Sequence, residues 1–372
     1  MEMDVPAREL RIYWKENNMK ILHISRTMGQ GGAEKIVYQL CRDNKEHEQY
    51  VISCGGYYIE ELEKIGVKHF MMPDIDKKNP FLMLTSLYKI WKVVKTEKID
   101  VIHSHHRMAA FYAKIISMFG KVKCVYTAHN VFYDKKSVMR FALSNCQIVA
   151  VGNGVKKNLV DVYQIPEQKI KVVYNSIKIE KKGTINTTLS EKSRQGKILI
   201  GNIGRLTQQK GVDIFIRAIS EVLDCFPNVL GVIVGDGEER ADLEKLVSDL
   251  KLSNNVIFLG YQKNILQIIS QLKFVVLSSR YEGLPLLPIE TFSQRKTIIA
   301  SNISGNNEVV TDSVTGLLFE KDDIEGLAGK IKELLKDEKL CEQLERNAQQ
   351  EYIEKYEYNL FIEGYNAVYR NM

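Results

Sequence analysis

The strongest constraint on the fold is an alternation of short apolar runs with amphipathic stretches, which occurs in both halves of the chain. The apolar runs are rich in β-branched residues and short enough to be buried strands. Strands that alternate with helices predict a parallel sheet covered by helices on both faces. The predicted strands lie near residues 20–24, 50–54, 99–103, 122–126, 147–151 and 170–174, and then near 197–203, 229–234, 256–259, 274–277, 297–300 and 316–319.

The two halves predict two domains. Residues 179–196 lose the apolar pattern and predict a linker, and 372 residues exceed one typical core. We therefore expect an N-terminal Rossmann-like domain over 19–178 and a C-terminal one over 197–352, with a helical tail over 353–372 and a charged extension over 1–18. Ligands of such sheets bind beyond the carboxyl ends of the strands, in this case in a cleft between the domains.

Composition narrows the class of protein. With 45% hydrophobic and 26% charged residues, the chain is typical of a globular protein. Six scattered cysteines without a close pair favour free thiols in a reducing cytoplasm. Neither a signal peptide nor an apolar run of about 18 residues is recognisable, which predicts a cytoplasmic protein. The net charge of +6 permits an anionic ligand or surface but does not indicate nucleic-acid binding.

Residues 278–290, Ser-Ser-Arg-Tyr-Glu-Gly-Leu-Pro-Leu-Leu-Pro-Ile-Glu, follow a predicted strand and enter a predicted helix. Pro288 fits the first turn of that helix, where its missing N–H would be unpaired. A helix N-terminus suits phosphate, whereas the carboxylates of Glu282 and Glu290 suit hydroxyl groups. A nucleotide-sugar offers both chemistries in one ligand. The alternative is that a loop acid and a helix acid share this spacing by chance.

Two glycine-containing loops also favour phosphate. In residues 204–211, Arg205 suits bidentate phosphate binding and Lys210 adds a point charge, although both are also common as surface charges. Residues 27–34 contain three glycines within four positions, which lets backbone N–H groups approach a ligand unless the segment is a plain turn. The spacing differs from the G-x-G-x-x-G of dinucleotide-binding proteins, which disfavours NAD.

Histidines follow two strands of the first half. His103, His105 and His106 invite a zinc interpretation, but only the first two share a face of an extended chain, and no cysteine or carboxylate lies at ligand spacing. We favour polar groups that line the cleft. His129 ends Thr-Ala-His after another strand, and its near-neutral pKa suits hydrogen bonding at a reacting sugar. A structural role is the alternative.

Together these stretches resemble the retaining family-4 glycosyltransferases of bacterial capsule, exopolysaccharide and lipopolysaccharide synthesis, over residues 19 to about 370. The motifs that carry the resemblance are Gly-Gly-Ala-Glu at 31–34, Asp-Val-Ile-His-Ser-His at 100–105, Thr-Ala-His at 127–129, Gly-Arg-Leu…Lys-Gly at 204–211 and Glu-x7-Glu at 282–290. The resemblance implies an α/β GT-B fold, with two doubly wound Rossmann-like domains facing across a cleft and a C-terminal helix that crosses back to the first. Ser176 and Pro285 depart from the pattern, because many members have glycine there.

The resemblance also implies roles for individual residues. The donor diphosphate is expected to contact Arg205, Lys210, Gly31, Gly32 and the backbone N–H groups of Leu286 and Leu287. Glu290 is expected to bind the ribose, while Glu282 and His129 are expected to be catalytic at the transferred sugar.

The implied reaction moves a hexosyl or N-acetylhexosaminyl group from a nucleotide-sugar, with UDP as the expected nucleotide, to a saccharide or lipid-linked saccharide. Fixed cations stabilise the departing diphosphate, so neither a metal nor a cofactor is required. The alternatives are a sugar epimerase or phosphorylase on the same fold, or a catalytically silent nucleotide-sugar-binding subunit. A dinucleotide oxidoreductase is disfavoured.

Two basic stretches suggest a membrane contact. Residues 107–123 and 131–142 combine cations with aromatic and aliphatic side chains on the domain that would receive the acceptor. Basic residues are attracted to an anionic leaflet, so we expect reversible docking on the inner face of the plasma membrane. The alternative for the first stretch is a helix that covers the sheet.

Overall fold

The chain folds, in a computed structural model that describes residues 18–77, 79–179 and 185–372, into two compact units. Unit 1 runs to Asn175 and also contains Tyr358–Met372, and unit 2 comprises Ser176–Glu357. The predicted extension, residues 1–18, lies outside the described residues except for Asn18. The six cysteines are free thiols, and four of them are buried. No helix in the described ranges is long and apolar enough to cross a membrane.

Unit 1 contains a seven-stranded parallel sheet. Its strands are β1 (Lys20–Ile24), β2 (Glu48–Ser53), β3 (Lys68–Met71), β4 (Val101–Ser104), β5 (Lys123–Ala128), β6 (Gln147–Ala150) and β7 (Ile170–Val172). The strand order is β3-β2-β1-β4-β5-β6-β7. All six strands predicted in this half are present. The prediction missed β3, because this edge strand has no fully buried residue and hence no apolar run.

The helices of unit 1 follow its strands. They are α1 (Gly32–Asp43), α2 (Ile59–Lys64), α3 (Pro80–Glu97), α4 (Arg107–Met118), α5 (Lys136–Leu143) and α6 (Asn153–Asp161). Each strand of the interior is almost fully buried, as expected when helices cover both faces of a parallel sheet.

Unit 2 repeats this architecture with a six-stranded parallel sheet. Its strands are β8 (Ile198–Ile203), β9 (Val229–Val234), β10 (Val256–Phe258), β11 (Phe274–Leu277), β12 (Ile298–Ser301) and β13 (Gly316–Phe319), in the order β10-β9-β8-β11-β12-β13. Its helices are α7 (Thr187–Arg194), α8 (Val212–Leu223), α9 (Arg240–Asp249), α10 (Ile265–Gln271), α11 (Leu286–Ser293), α12 (Ile324–Lys336) and α13 (Glu338–Glu351). All six predicted strands are present.

Helix α7 lies inside residues 179–196, which were predicted to be a linker. The prediction was therefore wrong for the second half of that segment, which is helical. The Asn186 side chain caps the helix by accepting a hydrogen bond from the Leu189 N–H at 3.1 Å. Leu189 is fully buried, and Gln271 of α10 donates to the Asn186 carbonyl at 3.0 Å. One buried leucine and one cap hold a short helix without the repeated apolar pattern that sequence analysis relies on.

Helix α14 (Tyr358–Arg370) belongs to unit 1, although the whole of unit 2 precedes it in the chain. Tyr365 and Tyr369, one helical turn apart, are buried against the sheet, and the Tyr369 hydroxyl lies 2.7 Å from His103 Nδ1. Gly364 allows the close approach, because a Cβ there would lie 2.8 Å from Val173 Cγ1. The predicted tail, 353–372, begins earlier than this helix, since residues 352–356 belong to unit 2.

Ser176, where the related pattern has glycine, occupies ordinary backbone space. Neither Asn175 nor Ser176 has a positive φ, so the turn does not need glycine. The Ser176 hydroxyl instead donates to the Tyr356 carbonyl at 2.5 Å. This bond joins the first residue of unit 2 to a residue near the C-terminal end of the same unit.

Strand order reverses between β1 and β4 in unit 1, and between β8 and β11 in unit 2. At such switch points the loops after the two strands diverge and leave a crevice for ligands. The loops after these four strands contain most of the residues that the sequence singled out.

Candidate active site

Two loops flank the switch point of unit 2, and hydrogen bonds join them. Ser278, just after β11, donates through Oγ to the Gly211 carbonyl at 2.7 Å and accepts from Asn202 Nδ2 at 3.1 Å. The Arg280 N–H donates to the Gln209 carbonyl at 2.8 Å. The loop that carries Arg205 and Lys210 is therefore bonded to the loop that carries Glu282.

A glycine lets these loops approach each other. Gly211 has a φ of +59°, and a Cβ at this position would lie 2.2 Å from the Ser278 carbonyl oxygen. Both the left-handed backbone and the close contact exclude other residues. The contact between the two loops therefore requires glycine directly after Lys210, which explains why the motif ends in Lys-Gly.

Lys210 and Glu282 meet at this contact. Lys210 Nζ lies 2.5 Å from Glu282 Oε1, and Ser279 Oγ donates to the same oxygen at 2.7 Å. The Glu282 side chain is only 8% exposed, so its charge depends on these partners. The structure thus brings together the predicted diphosphate cation and the predicted sugar-binding carboxylate.

Arg205 is exposed, and its side chain has no hydrogen bond or ion pair with the described residues. Arg280, in the neighbouring loop, is instead held by Asp213 at 2.9 Å, by Asp322 at 2.8 Å and by the Gln208 carbonyl. Arg205 is consequently available to an anionic ligand, whereas Arg280 fixes the loops. Sequence analysis gave Arg280 no role, because its partners are distant in the chain.

The N-terminus of α11 adds backbone donors. The N–H groups of Leu286 and Leu287 have no hydrogen-bond partner among the described residues, and Pro288 has no N–H to offer. Pro285 precedes the helix with ordinary extended dihedrals, φ −70° and ψ 141°. Glu290 lies in the next turn, with 7% of its surface exposed. This helix therefore carries both predicted backbone contacts and the predicted ribose ligand.

In unit 1, the glycine loop is the start of α1. Gly31 is its N-cap residue, and no side chain caps the helix. Thr27 Oγ1 donates to Glu34 Oε1 at 2.8 Å, which closes the loop around Gly31 and Gly32. Neither glycine has a positive φ. What these glycines provide is backbone access at a helix N-terminus.

In unit 1, three histidines and a glutamine form a chain of hydrogen-bonded side chains. The chain runs from the residues that follow β5 and β4 to residues within β1 and β2. His129 Nε2 lies 3.1 Å from His105 Nδ1, and His105 Nε2 lies 2.9 Å from His23 Nδ1. His23 Nε2 lies 2.8 Å from Gln49 Oε1. Sequence analysis missed His23 and Gln49, although His23 stands in the first predicted strand.

His103 occupies the interior beside this chain, and the expectation that it lines a cleft was wrong. It is fully buried, with Nδ1 2.7 Å from the Tyr369 hydroxyl and Nε2 2.7 Å from Thr127 Oγ1. His105 is also buried, whereas His106 lies 3.4 Å from Asp76 and caps α4. His106 and His129 are both partly exposed, and of these two only His129 directly follows a strand.

The ring nitrogens of His23, His103 and His105 include a set within 4.8 Å of one another, a spacing that a metal ion tolerates. Each of their ring nitrogens, however, already has a hydrogen-bond partner. A metal would have to displace several of these bonds. The buried imidazoles of these three residues are satisfied as hydrogen-bonding groups.

Burial keeps these histidines neutral. It lowers the pKa of His23 and of His129 to about 4, and it holds the pKa of His103 and His105 well below the usual value. A neutral imidazole donates from one nitrogen and accepts at the other. At neutral pH the histidines are therefore uncharged. Each hydrogen bond between them then joins one donor nitrogen to one acceptor nitrogen, so the chain has a defined direction from donor to acceptor.

Two family models match the chain, one for each half. The model described as Glycosyltransferase Family 4 matches residues 30–181, and the model described as Glycosyl transferases group 1 matches residues 187–351. The two matches cover the site loops of unit 1 and of unit 2, respectively.

Relatives and solved structures agree with these matches. The chain is 26% identical over 379 residues to the UDP-Gal:alpha-D-GlcNAc-diphosphoundecaprenol alpha-1,3-galactosyltransferase of Escherichia coli, with 95% of each chain covered. It is 26% identical to the N-acetylgalactosamine-N,N'-diacetylbacillosaminyl-diphospho-undecaprenol 4-alpha-N-acetylgalactosaminyltransferase of Campylobacter jejuni, over 84% of this chain and 89% of that one.

Anabaena HepE, solved with UDP and glucose, has the same fold, with a TM-score of 0.82 at 20% identity over 95% of this chain and 100% of that one. The two parallel sheets of this chain and its likeness to solved glycosyltransferases place the fold in the GT-B class. From the family matches, the relatives and the fold together, the chain belongs to the family-4 type of GT-B glycosyltransferases.

Proposed function

We propose that the protein transfers a hexosyl or N-acetylhexosaminyl group from a UDP-sugar to a lipid-linked saccharide, with retention of configuration and without a metal ion or cofactor. The observation that carries the proposal is the cluster at the switch point of unit 2. There an available arginine, a lysine–carboxylate pair and the open N-terminus of α11 lie on loops bonded to each other. The Escherichia coli relative is named for a UDP-sugar donor and a diphosphoundecaprenol acceptor, which supports both substrate classes.

The site offers a separate chemistry to each part of the donor. The guanidinium of Arg205, the ammonium of Lys210 and the N–H groups at the start of α11 suit the diphosphate. Glu290, buried in the same helix, suits the ribose hydroxyls, and Glu282 suits the hydroxyls of the sugar. From unit 1 the proposal assigns Gly31 and Gly32 to the diphosphate and His129 to the transferred sugar.

The reaction follows from where charge develops. The bond between the anomeric carbon and the diphosphate oxygen breaks, and the acceptor oxygen bonds to the same face of that carbon. The acceptor hydroxyl gives its proton to the departing phosphate oxygen, so no separate base is needed. Two cations at that oxygen, Arg205 and the Lys210 held by Glu282, stabilise its growing negative charge, which is the role that a metal ion has in other transferases.

A donor screen tests this function. Purified full-length protein is incubated with UDP-, GDP- and dTDP-hexoses and a pool of polyprenyl-diphosphate saccharides, and labelled product is measured with and without EDTA. We expect transfer from a UDP-sugar at an unchanged rate in EDTA, with the donor's anomeric configuration kept in the product, as read from its anomeric coupling constant.

The alternatives give different results in the same assay. Loss of transfer in EDTA that Mg²⁺ restores contradicts metal independence, and an inverted product contradicts retention. Donor turnover without acceptor indicates an epimerase, and turnover that needs inorganic phosphate indicates a phosphorylase. Donor binding without turnover indicates a silent subunit.

Unit 1 offers a basic and apolar surface to a membrane, although less of it comes from α4 than expected. Most apolar side chains of α4 are buried, and so is Lys114, whose Nζ lies 5.8 Å from the centre of the Phe141 ring. Lys114 is therefore not part of the basic surface that residues 107–123 were expected to present. Exposed groups remain around α5, where Tyr133 is 72% exposed beside Lys135 and Lys136.

Helix α3, which sequence analysis did not consider, strengthens the case. It exposes an apolar stripe on one side, formed by Phe81, Leu84, Tyr88 and Trp91. Exposed lysines 92 and 95 follow on the same helix, and α3 and α5 both pack against α4. Aromatic groups flanked by lysines suit the boundary of an anionic leaflet, so we propose that this side of unit 1 docks on the membrane that holds the acceptor.

Charge reversal tests the docking. The double variant Lys135→Glu with Lys136→Glu is expected to weaken binding to anionic liposomes by about 30-fold or more, since each basic residue contributes about 1 kcal/mol. Binding is measured by co-sedimentation with anionic and neutral vesicles at low and high salt.

The matched control is Lys321→Glu with Lys339→Glu, the same charge change at exposed positions of unit 2. Equal loss in both double variants would show a dependence on net charge alone. Equal binding of the unaltered protein to anionic and neutral vesicles would remove the membrane proposal.

A further inference from the structure

We infer that Gln49, acting through His23 and His105, fixes His129 as the tautomer with a proton on Nε2 and leaves Nδ1 as an acceptor for a sugar hydroxyl. The inference rests on the proposed placement of His129 at the transferred sugar. Gln49, His23 and His105 would then be positioning residues for the transfer.

The direction of this chain of hydrogen bonds is set at Gln49. Gln49 is buried near the start of β2, where that strand pairs with Lys20 of β1. Its Nε2 lies 3.4 Å from the carbonyl oxygens of both Asn44 and His47. Two carbonyl acceptors require the NH₂ group on that side, because an amide oxygen there would face two other oxygens. The Gln49 Oε1 therefore faces His23 and must accept a hydrogen bond from it.

Each following bond has only one arrangement. Because His23 donates from Nε2 to Gln49, its Nδ1 carries the lone pair and accepts from His105 Nε2 at 2.9 Å. His105 then accepts at Nδ1 from His129 Nε2 at 3.1 Å. The reverse direction would place a lone pair of His23 against Gln49 Oε1, leaving two buried acceptors without a proton between them.

The surrounding side chains hold the rings in this arrangement. The His103 ring centroid lies 4.1 Å from that of His105 and 5.1 Å from that of His23. His103 is itself fixed by hydrogen bonds to Tyr369 and Thr127. Burial keeps the pKa of His23, His105 and His129 below the neutral range, so each has one donor and one acceptor nitrogen. We call these three histidines together with Gln49 the relay.

The end of the chain determines what His129 can bind. Its Nδ1 has no hydrogen-bond partner among the described residues, and the side chain is partly exposed. A bare imidazole nitrogen accepts but cannot donate. Its partner must therefore donate a proton, which a sugar hydroxyl group can do and a deprotonated phosphate oxygen cannot. This property separates the sugar from the diphosphate of a nucleotide-sugar.

Nitrogen-15 NMR of the full-length protein, labelled on histidine, tests the tautomer directly. The resonances of His129 are identified by their loss in His129→Ala. We expect a protonated, pyrrole-type Nε2 and a bare, pyridine-type Nδ1 in the unaltered protein. A proton on Nδ1 of His129 would overturn the inference, and the tautomer itself is read from the unaltered protein.

A variant of Gln49 tests the origin of the effect. Gln49→Leu removes the acceptor, so we expect mixed tautomers at His129 and a kcat lowered by about tenfold with an unchanged donor KM. His69→Gln is the control, because His69 lies in the same sheet and bonds to Ser53 outside the relay.

The outcomes separate the relay from the proposed function. An unchanged His129 spectrum in Gln49→Leu overturns the relay. If the spectrum changes as expected but His129→Ala transfers sugar at the normal kcat, the relay stands and the placement of His129 at the sugar fails. A loss of donor binding in His129→Ala, with kcat unchanged, likewise contradicts that placement.

Discussion

Replacing Arg205 with alanine is expected to lower kcat/KM for the donor by about 10- to 150-fold, because one charge-assisted contact to the diphosphate is lost. Its side chain is exposed and has no partner among the described residues, so the thermal stability should not change. Arg217→Ala is the matched control, since Arg217 is an exposed arginine on α8 with no proposed role. The measurement is the initial rate of transfer over a range of donor concentrations.

Lys210→Ala is expected to have the larger effect, a loss of about 100- to 1,000-fold in kcat, because Lys210 would act where charge develops on the leaving group. The same change leaves Glu282, 8% exposed, without its cation, so stability should fall as well. Adding Glu282→Gln removes the unpaired charge and should restore the melting temperature without restoring transfer. Nearly normal rates in both Arg205→Ala and Lys210→Ala would contradict the diphosphate assignment.

The two carboxylates should differ in kinetic signature. Glu290→Gln is expected to raise the donor KM by about tenfold or more with little change in kcat, because the ribose contact is the same before and during reaction. Glu282→Gln is expected to lower kcat by about 100-fold, since its contact is with the reacting sugar and its loss also releases Lys210.

Steady-state kinetics with the donor found by screening measure both effects. Glu325→Gln, at an exposed position in the first turn of α12, controls for the removal of one negative charge from unit 2. If Glu282→Gln and Glu290→Gln change KM and kcat alike, the proposed division between ribose and sugar is incorrect.

Periodicity was sufficient to predict the sheets, because strands buried on both faces are continuous apolar runs. It failed where burial is partial, at the edge strand β3, and where one leucine anchors a helix, at α7. It also failed for Lys114, because a charged residue within an apolar segment looks solvent-facing whatever side of the helix it occupies. These errors share a cause, since the contacts that decide each case come from other parts of the chain.

The candidate site divides in the same way. Arg205, Lys210, Glu282 and Glu290 stand in loops directly after strands, so topology alone predicts that they are near one another. His23 and Gln49 could not be found like this. Parallel pairing aligns His23 of β1 with His103 of β4, and the strand order β2-β1-β4-β5 then brings in Gln49 and His129. The order of the strands in the sheet differs from their order along the chain, so no local pattern in the sequence predicts which of these side chains become neighbours.

The position of α14 also affects how the protein is made. Unit 1 begins to emerge from the ribosome first, yet the helix that buries Tyr365 and Tyr369 against its sheet is synthesised after Ser176–Glu357. At about 5–20 residues per second, that interval lasts about 10–40 s. Throughout it, the hydroxyl partner of His103 is missing and part of the unit 1 core faces water or a chaperone. A chain whose synthesis stops within unit 2 therefore has a first unit that lacks α14 and exposes the apolar surface that this helix covers.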